Sequence, residues 1–414
     1  MICESWARPL YDISSRAYTR LEHIYDPKKP SLQQIFRENW EDFLSDPEVL
    51  RKGLRPIVVQ EVQKMMDCGT LAAGYEIYEC PNCHRSHIIC YTCKSRFCPS
   101  CGVKYAKQRA ANVSSHTLDV DHRHIVFTID ARLRQWFKED RYMLNFLFDS
   151  AWKTIMYSFK KNCRKDDTFT PGVMITLHTF GRSLIWNPHV HCLVTEGGMN
   201  KKHIYKHISY INYEVLRKSF MRTLIKEMRE YIATAHPEKL QDFKMLANQM
   251  YSEHENGFYV NAPKMKEKRG KDAVVSYIVR YTCRPVMASS RITEYDWKNG
   301  TVTYWYEDHK TNDHITVKEP VFTFMKKLIQ HIPEAQFKMI RYYGIYATCA
   351  HHHKKKVKTL ILEHGHHWAD APKHYRRDLI DTYGVDPLKC ECGSYMVYID
   401  NYIPSKGAQF YETG

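Results

Sequence analysis

The chain has 414 residues, enough for two or three domains with a sizeable core, and its 43% hydrophobic and 26% charged content is ordinary for a soluble globular protein. Lysine and arginine exceed aspartate and glutamate by fifteen (61 against 46) and the pI is near 9.1, which favours a polyanionic partner, usually nucleic acid. No apolar run approaches the ~18 residues of a membrane span, and Met1 to Arg20 has no apolar stretch of the secretory kind, so neither a membrane nor an exported protein is expected.

Residues 1–66 read as a helical, DNA-binding N-terminal segment. Leu32, Ile35, Phe36, Trp40 and Phe43 follow a helical spacing, and Pro56 interrupts the run. Residues 67–116 form a polar, cysteine-rich module followed by a basic helix from about Val103 to His116. The module cannot bury much apolar surface, so it needs a metal to fold. A third unit, 117–292, opens with the strand His124 to Asp130. A helical stretch from about Leu133 to Lys161 follows, then strands Val173 to Phe180 and Val190 to Thr195, with Gly197-Gly198 ending the second. Tyr213 to Ala233 reads as a helix, Phe258 to Ala262 as a strand, and Asp272 to Arg284 as a helix stopped by Pro285. The last unit, 293–414, holds a hairpin from Thr293 to Glu307 around Asn299-Gly300 and a helix from Val317 to Ile332. It ends in a tail with the basic run His351 to Lys356. Helices and strands alternate irregularly, so an α+β fold with an antiparallel sheet is expected.

Fourteen cysteines in a basic chain without an export signal point to metal ligands or buried thiols, and seven of them lie between Cys68 and Cys101. Cys80-Pro-Asn-Cys83 and Cys98-Pro-Ser-Cys101 are two Cys-x2-Cys knuckles at a separation suited to one four-thiolate zinc. Cys90 and Cys93 form a third pair, and with Cys68 they offer ligands for a second zinc. Such zinc is structural, because protein fills every position. Lys94, Arg96, Lys104, Lys107 and Arg109 would then lie on a rigid platform for phosphates.

In Trp186-Asn-Pro-His189-Val-His191, the two histidines stand two apart on a strand and therefore present imidazoles to one point. His178, eleven residues before His189, lies at a hairpin distance and is the candidate third ligand, with Glu196 as competitor. A divalent ion held there would act as a Lewis acid on a phosphate oxygen. Zinc and manganese suit imidazole, while magnesium prefers oxygen. Tyr277 and Tyr281 sit at i and i+4 of the helix over 272–284, which puts both hydroxyls on one face. Arg280 and Arg284 repeat the same step on the neighbouring stripe, suited to holding phosphates. Tyrosine forms covalent intermediates, and a phosphotyrosine would store the energy of a phosphodiester for later rejoining.

Together these residues resemble the HUH nucleases, and within them the two-tyrosine, zinc-binding transposases of the insertion sequence 91 family. The resemblance runs over roughly residues 65–360. It covers the Cys80 to Cys101 cluster, the His124-Ile-Val-Phe-Thr strand, Leu177-His-Thr-Phe-Gly181, Asn187-Pro-His-Val-His191, Tyr277-Ile-Val-Arg-Tyr281 through Ser290-Arg-Ile292, and Arg341-Tyr-Tyr-Gly-Ile-Tyr346. It implies an HUH-type antiparallel sheet flanked by helices, with His189, His191 and His178 holding Mg2+ or Mn2+. Tyr277 and Tyr281 would be the nucleophiles of rolling-circle-like transposition through single-stranded DNA, joined to its 5′ phosphate. It also implies element ends and target as single-stranded partners, a host helicase and replication machinery for strand separation, and a place at the nucleoid of a bacterial cytoplasm. Two departures stand out. Phe97 occupies a position where relatives often carry His. Cys390-Glu-Cys392 is one residue short of a knuckle, which argues against a zinc site in the tail. Rival readings are a plasmid replication initiator or relaxase, a non-catalytic zinc-ribbon DNA-binding regulator, and a zinc hydrolase. The hydrolase lacks a His-Glu-x2-His motif.

Overall fold

A computed structural model of the chain describes residues 30–102, 117–118, 120–161, 169–200, 204–208, 212–262, 285–308, 311, 313–347, 380, 386 and 388–404. The basic helix expected over 103–116 and the tyrosine helix expected over 272–284 lie outside the described residues. So do Lys104, Lys107, Arg109, Tyr277, Arg280, Tyr281 and Arg284.

The fold is α+β. Helix α1 (Leu32–Leu44) starts where the Ser31 hydroxyl accepts the Gln34 N–H, and it buries the apolar stripe Leu32, Ile35, Phe36, Trp40 and Phe43. Helix α2 (Pro47–Lys52) is capped by Asp46, and α3 (Pro56–Asp67) carries Pro56 in its first turn. Pro56 thus begins a helix rather than interrupting one, because its missing N–H would have no partner there anyway. Strands β1 (Tyr75–Glu79) and β2 (Ser86–Cys90) form a hairpin.

The largest sheet follows. It is built from β3 (His122–Phe127), β4 (Gly172–Phe180), β5 (Trp186–Thr195), β8 (Val260–Asn261) and β12 (Ile340–Gly344), in the order β12-β4-β5-β3-β8, with every neighbouring pair antiparallel. A small ribbon, β6 (Gly197–Met199) with β7 (Tyr205–His207), extends from the end of β5. Helices α4 (Arg134–Glu139), α5 (Leu144–Lys161), α6 (Tyr213–Ala235) and α7 (Leu240–Glu253) complete this part. The expected helix over 133–161 is broken at Asp140, whose carboxylate caps the next turn at the Tyr142 N–H.

Alternation on the sheet sets the division of labour. Ile125 and Phe127 of β3, Val173, Ile175 and Leu177 of β4, and Val190, Cys192 and Val194 of β5 point to one face and enter a core with Leu147 and Phe148 of α5 and Phe220 and Leu224 of α6. The rings of Phe127 and Phe220 meet at 4.7 Å. The opposite face carries the histidines.

A second core joins distant parts of the sequence. Strands β9 (Ile292–Asp296), β10 (Thr301–Glu307) and β11 (His314–Pro320) form a three-stranded antiparallel sheet, followed by α8 (Val321–Ile329). Asn299-Gly300 makes the expected turn, with Gly300 at φ +60°. The expected helix over 317–332 begins only at Val321. Val317 to Pro320 pair with Thr301 to Tyr304 instead, and Pro320 ends the strand. Val302, Tyr304, Phe324 and Leu328 pack with Phe36, Phe43 and Val62 of the N-terminal helices. Lys326 binds Glu48 at 2.5 Å, and Asn39 binds the Tyr295 hydroxyl at 2.7 Å. The linear division at 292/293 is not followed by the sheet, since β12 lies on its edge beside β4. Strand β13 (Val397–Tyr402) pairs with β1 at the other extreme of the chain. Among the described residues no helix is long and apolar enough to cross a membrane.

Candidate functional site

The face of the large sheet away from α5 and α6 gathers four imidazoles from three adjacent strands. His189 and His191 stand two apart on β5, and the register sets His178 of β4 opposite His189. The ladder slips between His178 and Phe180, where Asn187 and Pro188 fill the facing strand and Pro188 has no N–H to donate. Ring centroids lie 4.5 Å apart for His178 and His191, 4.9 Å for His189 and His191, and 5.4 Å for His178 and His189. One ligating nitrogen from each of the three falls within 4.8 Å of the others. That spacing suits a single cation with further positions left for oxygen ligands.

The surroundings fix which nitrogens face the centre. His189 Nδ1 donates to the Asn187 carbonyl at 2.7 Å, which leaves Nε2 with its lone pair. On β3, His124 places Nε2 2.9 Å from Nδ1 of His191, with the rings stacked at 5.1 Å, so His191 too turns Nε2 away to a ligand. His124 was not among the residues expected to build the site. The signal was available: His122 and His124 repeat the two-residue step of His189 and His191. Burial holds the His191 pKa well below its ordinary value, with His178, His189 and His124 adding to the effect. Burial lowers His189 as well, and burial with the nearby His189 pushes His124 down to about 4. The lowered values favour the neutral form of His124, His189 and His191, the form in which an imidazole binds a cation.

Glu196 stays away from this cluster. It takes the Arg123 guanidinium at 2.7 and 2.6 Å, and groups with Asp121 and His207. His122 is held between the Val120 carbonyl and the Tyr346 hydroxyl, each at 2.7 Å.

The cysteines divide differently from the expectation. Cys80, Cys83, Cys98 and Cys101 do not come together. Instead Cys68, Cys93, Cys98 and Cys101 form one cluster, and Cys80, Cys83, Cys390 and Cys392 form another, each with its sulfurs within 4.8 Å of one another. Cys90 belongs to neither. The hairpin explains the split. Cys80 and Cys83 occupy the turn between β1 and β2, while Cys68 and Cys93 lie beyond its open end, and a five-residue strand spans roughly 17 Å. Gly69, at φ +70°, sends its N–H to the Tyr91 carbonyl and turns Cys68 toward Cys93, whose N–H donates to the Cys68 sulfur at 3.3 Å.

Sulfur separations are 3.6 Å for Cys68 and Cys93 to Cys101, 3.5 Å for Cys80 to Cys392 and 3.4 Å for Cys83 to Cys390. Around a tetrahedral zinc with sulfur at roughly 2.3 Å, neighbouring sulfurs stand roughly 3.8 Å apart, so both clusters fit that ion. They are too long for disulfides, and all eight thiols are free. The first cluster is embedded in the second core, where Phe97 meets Phe36 edge-on at 5.7 Å. Lys94 is exposed beside it.

Comparisons with known proteins agree with this geometry. A family of candidate transposases matches residues 172–355, and the transposase zinc-binding domain matches residues 35–129. The chain is 31% identical over 399 residues to the transposase for insertion sequence element IS801 of Pseudomonas savastanoi pv. phaseolicola, covering 92% of this chain and 91% of that protein. It is 23% identical over 335 residues to a candidate transposase, y4qJ, of Sinorhizobium fredii (strain NBRC 101917 / NGR234), covering 76% of this chain and 80% of that protein. No solved structure matches.

Proposed function

The chain belongs to the transposases of the insertion sequence 91 family, and on that premise we propose that it nicks and rejoins single-stranded DNA at the ends of its element by metal-assisted tyrosine attack. The observation that carries the reading is the convergence of His178, His189 and His191 on one face of a rigid sheet. Three imidazoles with open coordination positions suit phosphodiester chemistry, and the family supplies the substrate class.

His178, His189 and His191 hold the ion, and His124 keeps His191 in the tautomer that binds it. Mg2+ or Mn2+ held there would supply Lewis-acid stabilisation of the charge that develops on the scissile phosphate. Tyr277 and Tyr281 are the nucleophiles. The phenolic oxygen of one attacks phosphorus and gives up its proton, the bond to the 3′ oxygen breaks, and that oxygen leaves as a hydroxyl. The strand is then held by its 5′ phosphate on tyrosine. A 3′-hydroxyl attacking this phosphotyrosine restores a phosphodiester and frees the phenol without ATP. The second tyrosine serves the second strand transfer. Arg280 and Arg284, with Lys104, Lys107 and Arg109 next to the zinc-binding module, hold backbone phosphates. Host helicase and replication proteins separate the strands, at the nucleoid.

The test uses labelled single-stranded oligonucleotides from the element's ends with Mg2+ or Mn2+. A protein–DNA adduct that survives denaturing gels is expected, lost in the Tyr277→Phe, Tyr281→Phe double variant and in His189→Ala. No adduct on any end sequence, with tight binding retained, would replace this reading by that of a DNA-binding regulator without catalysis.

A further inference from the structure

The cysteine cluster that includes the tail lies only half within the family matches. Cys80 and Cys83 lie within residues 35–129, but Cys390 and Cys392 lie beyond residue 355. We propose that Cys80, Cys83, Cys390 and Cys392 bind a second structural zinc, which fastens the end of the chain to the β1–β2 hairpin and so makes the zinc-binding module a product of both ends of the sequence.

The two cysteine pairs sit in matching tight turns. In one, the Cys80 N–H donates to the Arg85 carbonyl at 2.8 Å and the His84 N–H to the Cys80 carbonyl at 2.9 Å. In the other, the Cys390 N–H donates to the Ser394 carbonyl at 2.9 Å and the Gly393 N–H to the Cys390 carbonyl at 2.9 Å. The second turn is one residue shorter. Gly393, at φ +88°, closes it in the left-handed region, which is how a Cys-x-Cys spacing does the work of a knuckle. Arg85 adds positive charge beside Cys83 and Cys390, and ion-pairs with Glu391.

Burial is too thin to do this alone. The local core consists of Cys80, Cys390 and Met396, with Tyr78 and Leu388 packed against it. Val397, Tyr398, Ile399 and Tyr402 of β13 are about half exposed. Yet the strand pairs with β1 from Tyr75–Tyr402 to Glu79–Val397, with one slip between Ile77 and Tyr78, and it lies close enough that a Cβ on Gly74 would stand 2.6 Å from the Tyr402 carbonyl oxygen. Tyr75, Ile88 and Ile89 are buried within the sheet, but the two cysteine turns at its end have little apolar burial of their own, and a four-thiolate ion staples them.

Zinc is measured on the purified full-length chain after gel filtration, by elemental analysis. Two zinc ions per chain are expected, falling to about one in Cys392→Ser. Two zinc ions retained in that variant, or one in the unaltered chain, would overturn the proposal. A second readout needs no variant. Cys83 and Cys392 are exposed, so as free thiols both are alkylated at once. As zinc ligands they resist alkylation until a chelator is added, and then react together. Immediate alkylation of both in the untreated protein would contradict the site. Neither readout depends on DNA cleavage, so failure here leaves the tyrosine chemistry standing, and failure there leaves the second zinc standing.

Discussion

The histidine cluster and the tail cysteine cluster each bring side chains together from distant stretches of chain, but the scaffolds differ. The histidines sit on three neighbouring strands whose other face is packed against α5 and α6, so their positions are set by a core that contains no ligand. The tail cysteines stand in two turns over a core of three buried residues. One site is built by the fold, and the other helps to build it. The cluster of Cys68, Cys93, Cys98 and Cys101 lies between them, tethered to the second core through Phe97 and Met65.

Metal removal is the strongest way to break that contrast. A strong chelator should expose residues 68–101 and 388–404 to limited proteolysis, while 122–161, 172–195 and 213–253 stay protected. Mass spectrometry of the fragments would read this directly, and equal protection of all regions with and without chelator would remove the distinction. A second, smaller effect comes from substitutions on the two faces of one strand pair, β4 and β5. Ile175→Ala empties part of the helix-packed core and should cost about 2–5 kcal/mol of stability. His191→Ala on the facing strand should cost less than about 1 kcal/mol in metal-free protein, since it removes a partly buried polar group on the open face. Denaturant unfolding of both variants gives the comparison.

The smallest effect concerns a buried histidine that holds no ion. His331 lies against Trp186 and Phe180, its Nε2 donates to the Leu184 carbonyl, its Nδ1 accepts from the Thr179 hydroxyl, and burial pushes its pKa down to about 3 from an ordinary 6.5. A histidine depressed in the folded state leaves stability intact above pH 6.5. Stability is lost as pH falls from there toward 3, because the unfolded chain takes the proton first. The urea midpoint should drop between pH 7.5 and pH 5, roughly the window set by the ordinary histidine pKa. His331→Gln should be weaker at both values and drop less.

Much of this was legible from residue spacing. The two-residue step of His189 and His191 needed only the geometry of a strand, and Asn299-Gly300 needed only turn chemistry. His124 shows the same two-residue step with His122, but its strand's pairing to β5 is a tertiary fact, so the step alone did not place it at the site. Cysteine spacing says which pairs form turns and not which turns share an ion. The length of the β1–β2 hairpin decided that, and it sent Cys80 and Cys83 to partners some three hundred residues away. Strand β11 was hidden because Val317 falls four residues before Val321, in step with the apolar period of α8, and only its pairing with β10 makes it a strand.

The central claim is that the histidine face binds the ion that DNA cleavage requires. Its most direct test titrates Mn2+ into the unaltered protein and His191→Ala, and follows the covalent DNA adduct. Saturable dependence on Mn2+ is expected, with the variant needing roughly ten- to hundred-fold more metal or forming no adduct. Adduct formation at full rate in excess chelator, or identical titrations for the two proteins, would contradict it.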